Sequence, residues 1–130
     1  MTEDELNLLS EKVIGRCYAI SNVLGSGFLE KVYENALAHE LRKLGLNVET
    51  QKPLNVIYDG MIVGEYFADL FVDDVLLVEL KTTNGFSDNH KAQCINYLQA
   101  TRMPLCLLIN FGRPRVDVKR IFQSEFLTNI

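Results

Sequence analysis

Basic charge is what this chain most lacks. Its 13 lysines and arginines stand against 17 acidic residues, for a net charge of −4, which argues against a broad basic nucleic-acid-binding surface but leaves room for a local phosphate-binding patch. Cysteine is also scarce. Cys17, Cys94 and Cys106 are odd in number, widely spaced and without a C-x-x-C or Cys/His cluster, which argues against both a disulfide framework and a structural zinc site. Each falls in an apolar stretch, so three buried free thiols are expected. No apolar run approaches the ~20 residues of a membrane span. The opening Met1-Thr2-Glu3-Asp4-Glu5 is acidic and has no signal-peptide pattern, which makes the cytoplasm the expected location. Repeats, low-complexity tracts and linkers are missing too. A chain of 130 residues that is 48% hydrophobic and 23% charged fits one ordinary globular domain, residues 1–130.

What is present is a pattern of alternating periods. Leu6, Leu9, Val13, Cys17, Ile20 and Leu24 step by three or four and predict a helix over about residues 4–24, broken by Gly25-Ser26-Gly27. A second helix is expected from about Leu29 to Leu44 and a third over about 88–101, capped from Ser87-Asp88-Asn89. Strand-type segments occupy about 47–58, 61–72, 74–82, Leu105 to Asn110 and 115–122. The order is α-α-β-β-β-α-β-β, an α/β fold.

Within it, Val75-Leu76-Leu77-Val78 reads as a strand covered on both faces. Alternation puts Val75, Leu77, Glu79 and Lys81 on one side and Leu76, Val78 and Leu80 on the other. Two opposite charges thus follow two aliphatics on one face of a buried strand, where a charge is costly unless paired or bound to a metal. Asp69 lies ten residues earlier in another strand-like run. One Asp and a Glu-x-Lys on neighbouring strands suit Mg²⁺-dependent phosphodiester hydrolysis, with carboxylates for the ion and an ammonium for water or transition-state charge. Equally, strands often end in charged residues as they leave a core, and an (i, i+2) Glu/Lys pair can be a weak surface ion pair.

Two helices carry polar residues at the edges of their apolar stripes. Glu30 sits beside Leu37 and Leu41, where it either complements the helix dipole or points toward Asp69 and Glu79. Gln93 lines up with Tyr97 and Ala100 on the third helix. His39 and His90 have no ligand-spaced partners and are expected at the surface.

These residues together resemble a known family. Gly27-Phe28-Leu29-Glu30-Lys31-Val32-Tyr33 reads G-x-x-E-x-x-Y, and the chain is similar to the GxxExxY protein family of the PD-(D/E)XK nuclease-like superfamily. The likeness continues through Phe67-Ala68-Asp69-Leu70, Val78-Glu79-Leu80-Lys81, Ala92-Gln93 with Tyr97-Leu98, and Leu108-Ile109-Asn110-Phe111-Gly112 before Lys119-Arg120. It covers roughly residues 24–121. Ala68 stands where the motif's Pro would be.

The resemblance implies a restriction-endonuclease-like core, a mixed sheet flanked by helices, with Asp69 and Glu79 on adjacent antiparallel strands. It implies a catalytic set of Glu30, Asp69, Glu79, Lys81 and Gln93, a metal site of Asp69, Glu79, the Leu80 carbonyl and Glu30, and supporting roles for Tyr33 and Tyr97. The cofactor would be Mg²⁺, with Mn²⁺ able to substitute. The partner would be nucleic acid, DNA ahead of RNA. The charge distribution, independently of the resemblance, offers Lys91 in mid-chain and Arg113, Arg115, Lys119 and Arg120 near the carboxyl end as phosphate-binding cations, and a homodimer could set two such patches on one duplex.

Three functions compete: a metal-dependent nuclease, a catalytically silent nucleic-acid-binding or assembly module on the same scaffold, and a protein-interaction domain docking a basic partner through its acidic first helix. The first alone accounts for the whole polar set. It also makes geometric demands. A two-residue loop at Asp73-Asp74 would pair Val72 with Val75 and send Asp69 and Glu79 to opposite faces, so an odd-numbered loop or a bulge is required. Carboxyl pKa values in the gathered site should be elevated.

Overall fold

The computed structural model describes residues 1–124. Helix α1 (Glu3–Leu24) buries the Leu6, Leu9, Val13, Cys17 and Ile20 stripe. The Thr2 hydroxyl caps it by accepting from the Glu5 N–H at 3.1 Å. Gly25, at φ 69°, ends it in a conformation that suits glycine. Helix α2 (Glu30–Lys43) follows, then strands β1 (Val48–Tyr58), β2 (Met61–Val72) and β3 (Leu76–Lys81), helix α3 (Asp88–Thr101), and strands β4 (Leu105–Asn110) and β5 (Asp117–Phe122).

The five strands form one mixed sheet in the order β1-β2-β3-β4-β5. Only β3 and β4 run parallel, with α3 as the crossover between them, and the other neighbours are antiparallel. Against one face pack α1 and α2, closing a core that includes Tyr33, Leu37, Leu41, Leu76, Val78 and Leu80. On the other face α3 covers Leu77, Cys106 and Leu108 with Cys94, Tyr97 and Leu98. The alternation expected in β3 is therefore present, and both faces of that strand are dry. All three cysteines are free and buried, as expected.

The element order matches the expectation, with ends moved by one or two residues. The informative shift is Val75, which leaves β3 and joins Asp73 and Asp74 in the turn. Both aspartates adopt positive φ, 50° and 57°, a region they tolerate better than most side chains. The Asn47 N–H donates to Asp73 Oδ1 at 2.8 Å, and the Asp73 N–H donates to the Asn47 carbonyl. The connection is thus three residues long, the odd number the register required. No helix among the described residues is long and apolar enough to cross a membrane.

Candidate active site

The three-residue turn pairs Val72 with Leu76, Phe71 with Leu77 and Leu70 with Val78, and there the ladder stops. One step further Asp69 faces Glu79. As β2 veers away, the two side chains take over the backbone's missing partners. The Asp69 N–H donates to Glu79 Oε1 at 3.0 Å, and the Leu80 N–H donates to Asp69 Oδ2 at 2.7 Å. The carboxylates are therefore locked in position by the split between strands. A strand residue turns its N–H and C=O to the same edge. The Leu80 carbonyl consequently faces the same gap as Asp69, while the Lys81 carbonyl faces β4 and accepts from the Phe111 N–H at 2.8 Å.

Glu79 is only 3% exposed. Burial, then the adjacent Asp69 charge, push its carboxyl up to about 9. Burial also raises Asp69, with smaller contributions from the charges of Glu34 and Glu30, against the lowering hydrogen bonds from Leu80 and Gln51. The expected elevation is present. Like charges gathered in a dry cleft want a cation or a proton.

Lys81, half-buried on the Glu79 face, donates from Nζ to Gln93 Oε1 of α3 at 3.2 Å. The strand end that carries it is braced from behind. Buried Asn110 accepts from the Thr83 N–H at 3.0 Å and donates to the Thr83 carbonyl at 2.9 Å. Gly112 passes so close that a Cβ there would lie 2.3 Å from the Thr83 carbonyl oxygen. Phe111 stacks on Tyr33 at 4.4 Å between ring centroids. The Tyr33 hydroxyl donates to the Gly25 carbonyl at 2.6 Å, which ties down the turn leading into α2.

The sequence profile of the PD-(D/E)XK nuclease superfamily matches residues 7–121. The chain belongs to that superfamily. Two solved structures share its fold. The crystal structure of SSO0001 is 20% identical with a TM-score of 0.53, over 90% of this chain and 59% of that one. An alkaline exonuclease (LHK-Exo) from Laribacter hongkongensis is 15% identical with a TM-score of 0.53, over 99% of this chain and 75% of its own. No curated protein sequence matches.

In this PD-(D/E)XK domain Asp69, Glu79, Lys81 and Gln93 meet in one cluster. Tyr97 stands beside it, donating to the Phe67 carbonyl at 3.3 Å, and its hydroxyl pKa is raised by burial and then by the Glu79 charge. Glu30 is exposed at the start of α2, within electrostatic reach of Asp69. The carboxylate that α2 brings closest is instead Glu34, 3% exposed. Gln51 Nε2 bridges it to the site, donating to Glu34 Oε1 and, at 3.2 Å, to Asp69 Oδ1. Lys31 Nζ donates to the other Glu34 oxygen. Sequence reasoning missed both Glu34 and Gln51. The first was detectable, since Glu34, Ala38 and Leu41 step i, i+4, i+7 along the buried stripe. The second depends on a φ of 50° in mid-strand, between the Thr50–Leu70 and Lys52–Ala68 pairs, which the sequence does not announce.

The expected basic cluster is divided. Lys119 and Arg120 are neighbours in β5 and so point to opposite faces: Lys119 pairs with Leu108 in the Glu79 row, and Arg120 with Leu107 on the α1/α2 side. Arg113 and Arg115 are exposed on the loop after β4, at the sheet end where Lys81 pairs with Asn110. Arg113 is shared with Asp117 at 3.6 Å. Lys91 lies half-buried on α3.

Among the described residues no three His, Cys, Asp or Glu side chains form a ready cation cage. Superfamily members generally use divalent ions, and the donor set here fits one. Mg²⁺ is commonly held by one or two carboxylates, keeping waters and substrate phosphate for the rest of its shell. Asp69, Glu79 and the Leu80 carbonyl offer hard oxygen donors beside one gap, and the raised carboxyl pKa values mark a place short of positive charge.

Proposed function

We propose that this domain is a Mg²⁺-dependent nuclease that hydrolyses phosphodiester bonds, DNA before RNA, and that it belongs to the GxxExxY group within its superfamily. The observation that carries the reading is Asp69 opposite Glu79 at the split between β2 and β3, with Lys81 two residues on along the same face. Asp69, Glu79 and the Leu80 carbonyl hold the ion, and Mn²⁺ can substitute. When bound, a divalent ion activates water and offsets charge on the scissile phosphate. Lys81 supplies its ammonium to the attacking water or to the phosphoryl oxygens as charge develops. Gln93 fixes that ammonium from α3. Glu34, steered by Gln51, adds negative charge beside Asp69, and Glu30 adds its own at the mouth. Tyr33 and Tyr97 support the frame rather than react.

The test is cleavage of labelled DNA and RNA with Mg²⁺ or Mn²⁺. Lys81→Ala should lower the rate by more than about 100-fold, the range in which a single charge-stabilising group is commonly felt. If wild-type protein cleaves neither polymer, the second reading applies: a silent binding module on the same scaffold, favoured by the net charge of −4.

A further inference from the structure

A groove of about 520 Å³ opens between α3 and the outer half of the β1–β2 hairpin. Val56, Ile57 and Tyr66 line it from the hairpin, and Asn96, Gln99, Ala100 and Arg102 line it from α3 and its C-cap. No carboxylate lines it, in a chain with 17 of them. Among the described residues the side chains of Asn96, Gln99 and Arg102 have no hydrogen-bond or ion-pair partner. Two free amides, one free guanidinium and a half-exposed aromatic ring are a particular combination. Each amide presents a donor and an acceptor in one plane, the pattern that matches a base edge. A tyrosine face stacks on any base, and a guanidinium suits a phosphate.

The groove lies next to the site already described, with the Tyr66–Tyr97 ring contact between them. Tyr66 contacts the Tyr97 ring at 5.8 Å between centroids, and Tyr97 borders Glu79. Gln93, which holds Lys81, and the groove residues Asn96 and Ala100 lie along one side of α3. At 1.5 Å of rise per residue the groove residues from Asn96 to Arg102 lie roughly 5 to 14 Å beyond Gln93, the reach of one or two nucleotides adjoining the one being cut. A base paired in a duplex offers an amide only its groove edges, because its pairing edge is turned inward and its faces are covered by its neighbours. The Tyr66 ring can stack only on a base that is unstacked, and the amides then meet an edge that pairing would otherwise occupy.

We propose that this groove seats an unpaired base beside the scissile phosphate, which makes single-stranded nucleic acid, or the frayed end of a duplex, the substrate class of the site; the inference rests on the nuclease reading above for its second half. Tyr66 stacks on the base, Asn96 and Gln99 bond its edge, and Arg102 holds the phosphate that follows.

The experiment separates the two halves by measuring binding and cleavage apart. A short single-stranded DNA carrying the fluorescent base aminopurine is titrated with the protein in chelator, beside its duplex. The single strand should bind at least tenfold more tightly, with a change in aminopurine emission as the base stacks. Asn96→Ala/Gln99→Ala should weaken single-strand binding about tenfold, within the usual range for one base contact. Arg102→Gly, which suits the left-handed φ of 58° at that position, should reduce the salt slope by about one phosphate contact. Equal binding of strand and duplex, or full single-strand affinity in the double variant, would overturn the base seat whatever the cleavage result. Groove-dependent binding without cleavage in Mg²⁺ or Mn²⁺ would uphold the seat and remove the nuclease reading instead.

Discussion

Glu79 concentrates the electrostatic problem of this site in one side chain. Its carboxyl sits near 4.5 in an unfolded chain and near 9 in the folded one. Between those values the native state holds a proton that the unfolded state has released, so stability falls as pH rises. Below the lower value both states are protonated and the stabilisation is complete; above the upper one it is gone. Asp69 is shifted in the same direction. In chelator, urea midpoints of the wild type should therefore fall, relative to Glu79→Gln, between about pH 5 and pH 9, by no more than ~1.4 kcal/mol per pH unit. A wild-type curve parallel to that of the variant would mean that Glu79 is ionised in the apo protein. On the proposed metal-site reading, divalent ion should reverse the loss, since a ligand that binds only the folded state stabilises it. A melting temperature unmoved by millimolar Mg²⁺ or Mn²⁺ would count against the donor set.

Strand β3 and the loop that follows β4 act as one element, because Asn110 and Gly112 clamp Thr83 and with it the end that carries Lys81. Gly112→Ala would force the Thr82–Thr83 backbone away, since the obstructing atoms are main chain and cannot swing aside. It should lower any Lys81-dependent cleavage at least tenfold, in keeping with the sensitivity of reaction geometry to ångström-scale displacement. Asn110→Ala leaves the half-buried N–H and carbonyl of Thr83 without their partner and should destabilise by about 1–3 kcal/mol, read by chemical denaturation. At this scale much was legible beforehand. The parity of side chains in β2 and β3 demanded an odd turn, and Asp73-Asp74-Val75 supplies it. The Asn110-Phe111-Gly112 stretch was recognised as a motif, but its bracing role needed the close approach of two loops distant in sequence. Glu34 was passed over because the reading stopped at Glu30, the motif residue. The burial of Glu34 is legible in the helical period, since it shares the stripe of Ala38 and Leu41; that Gln51 links it to Asp69 is a tertiary fact.

For the molecule as a whole, an acidic chain that grips a polyanion must do so through few contacts. Of the expected cations, Lys81 lies in the site, Arg113 and Arg115 stand on the loop at the same end of the sheet, and Lys119 shares the Glu79 row, while Arg120 points to the other face. Arg102 joins them from the groove beyond α3. The divided arrangement argues against a continuous basic track and, on the proposed nuclease reading, favours a short footprint beside Lys81. With about four phosphate contacts on a single strand, log affinity should fall by roughly 0.7 per contact for each tenfold rise in salt. Arg113→Ala/Arg115→Ala should flatten that slope by up to two contacts, or nearer one if the Asp117 pairing already occupies Arg113. Metal affinity, followed by thermal shift with Mn²⁺, should not change. Arg120→Ala should leave the slope where it was, which makes it the internal control. A slope that responds to Arg120 but not to the loop arginines would place nucleic acid on the α1/α2 face, away from Asp69 and Glu79, and would favour the silent-module reading.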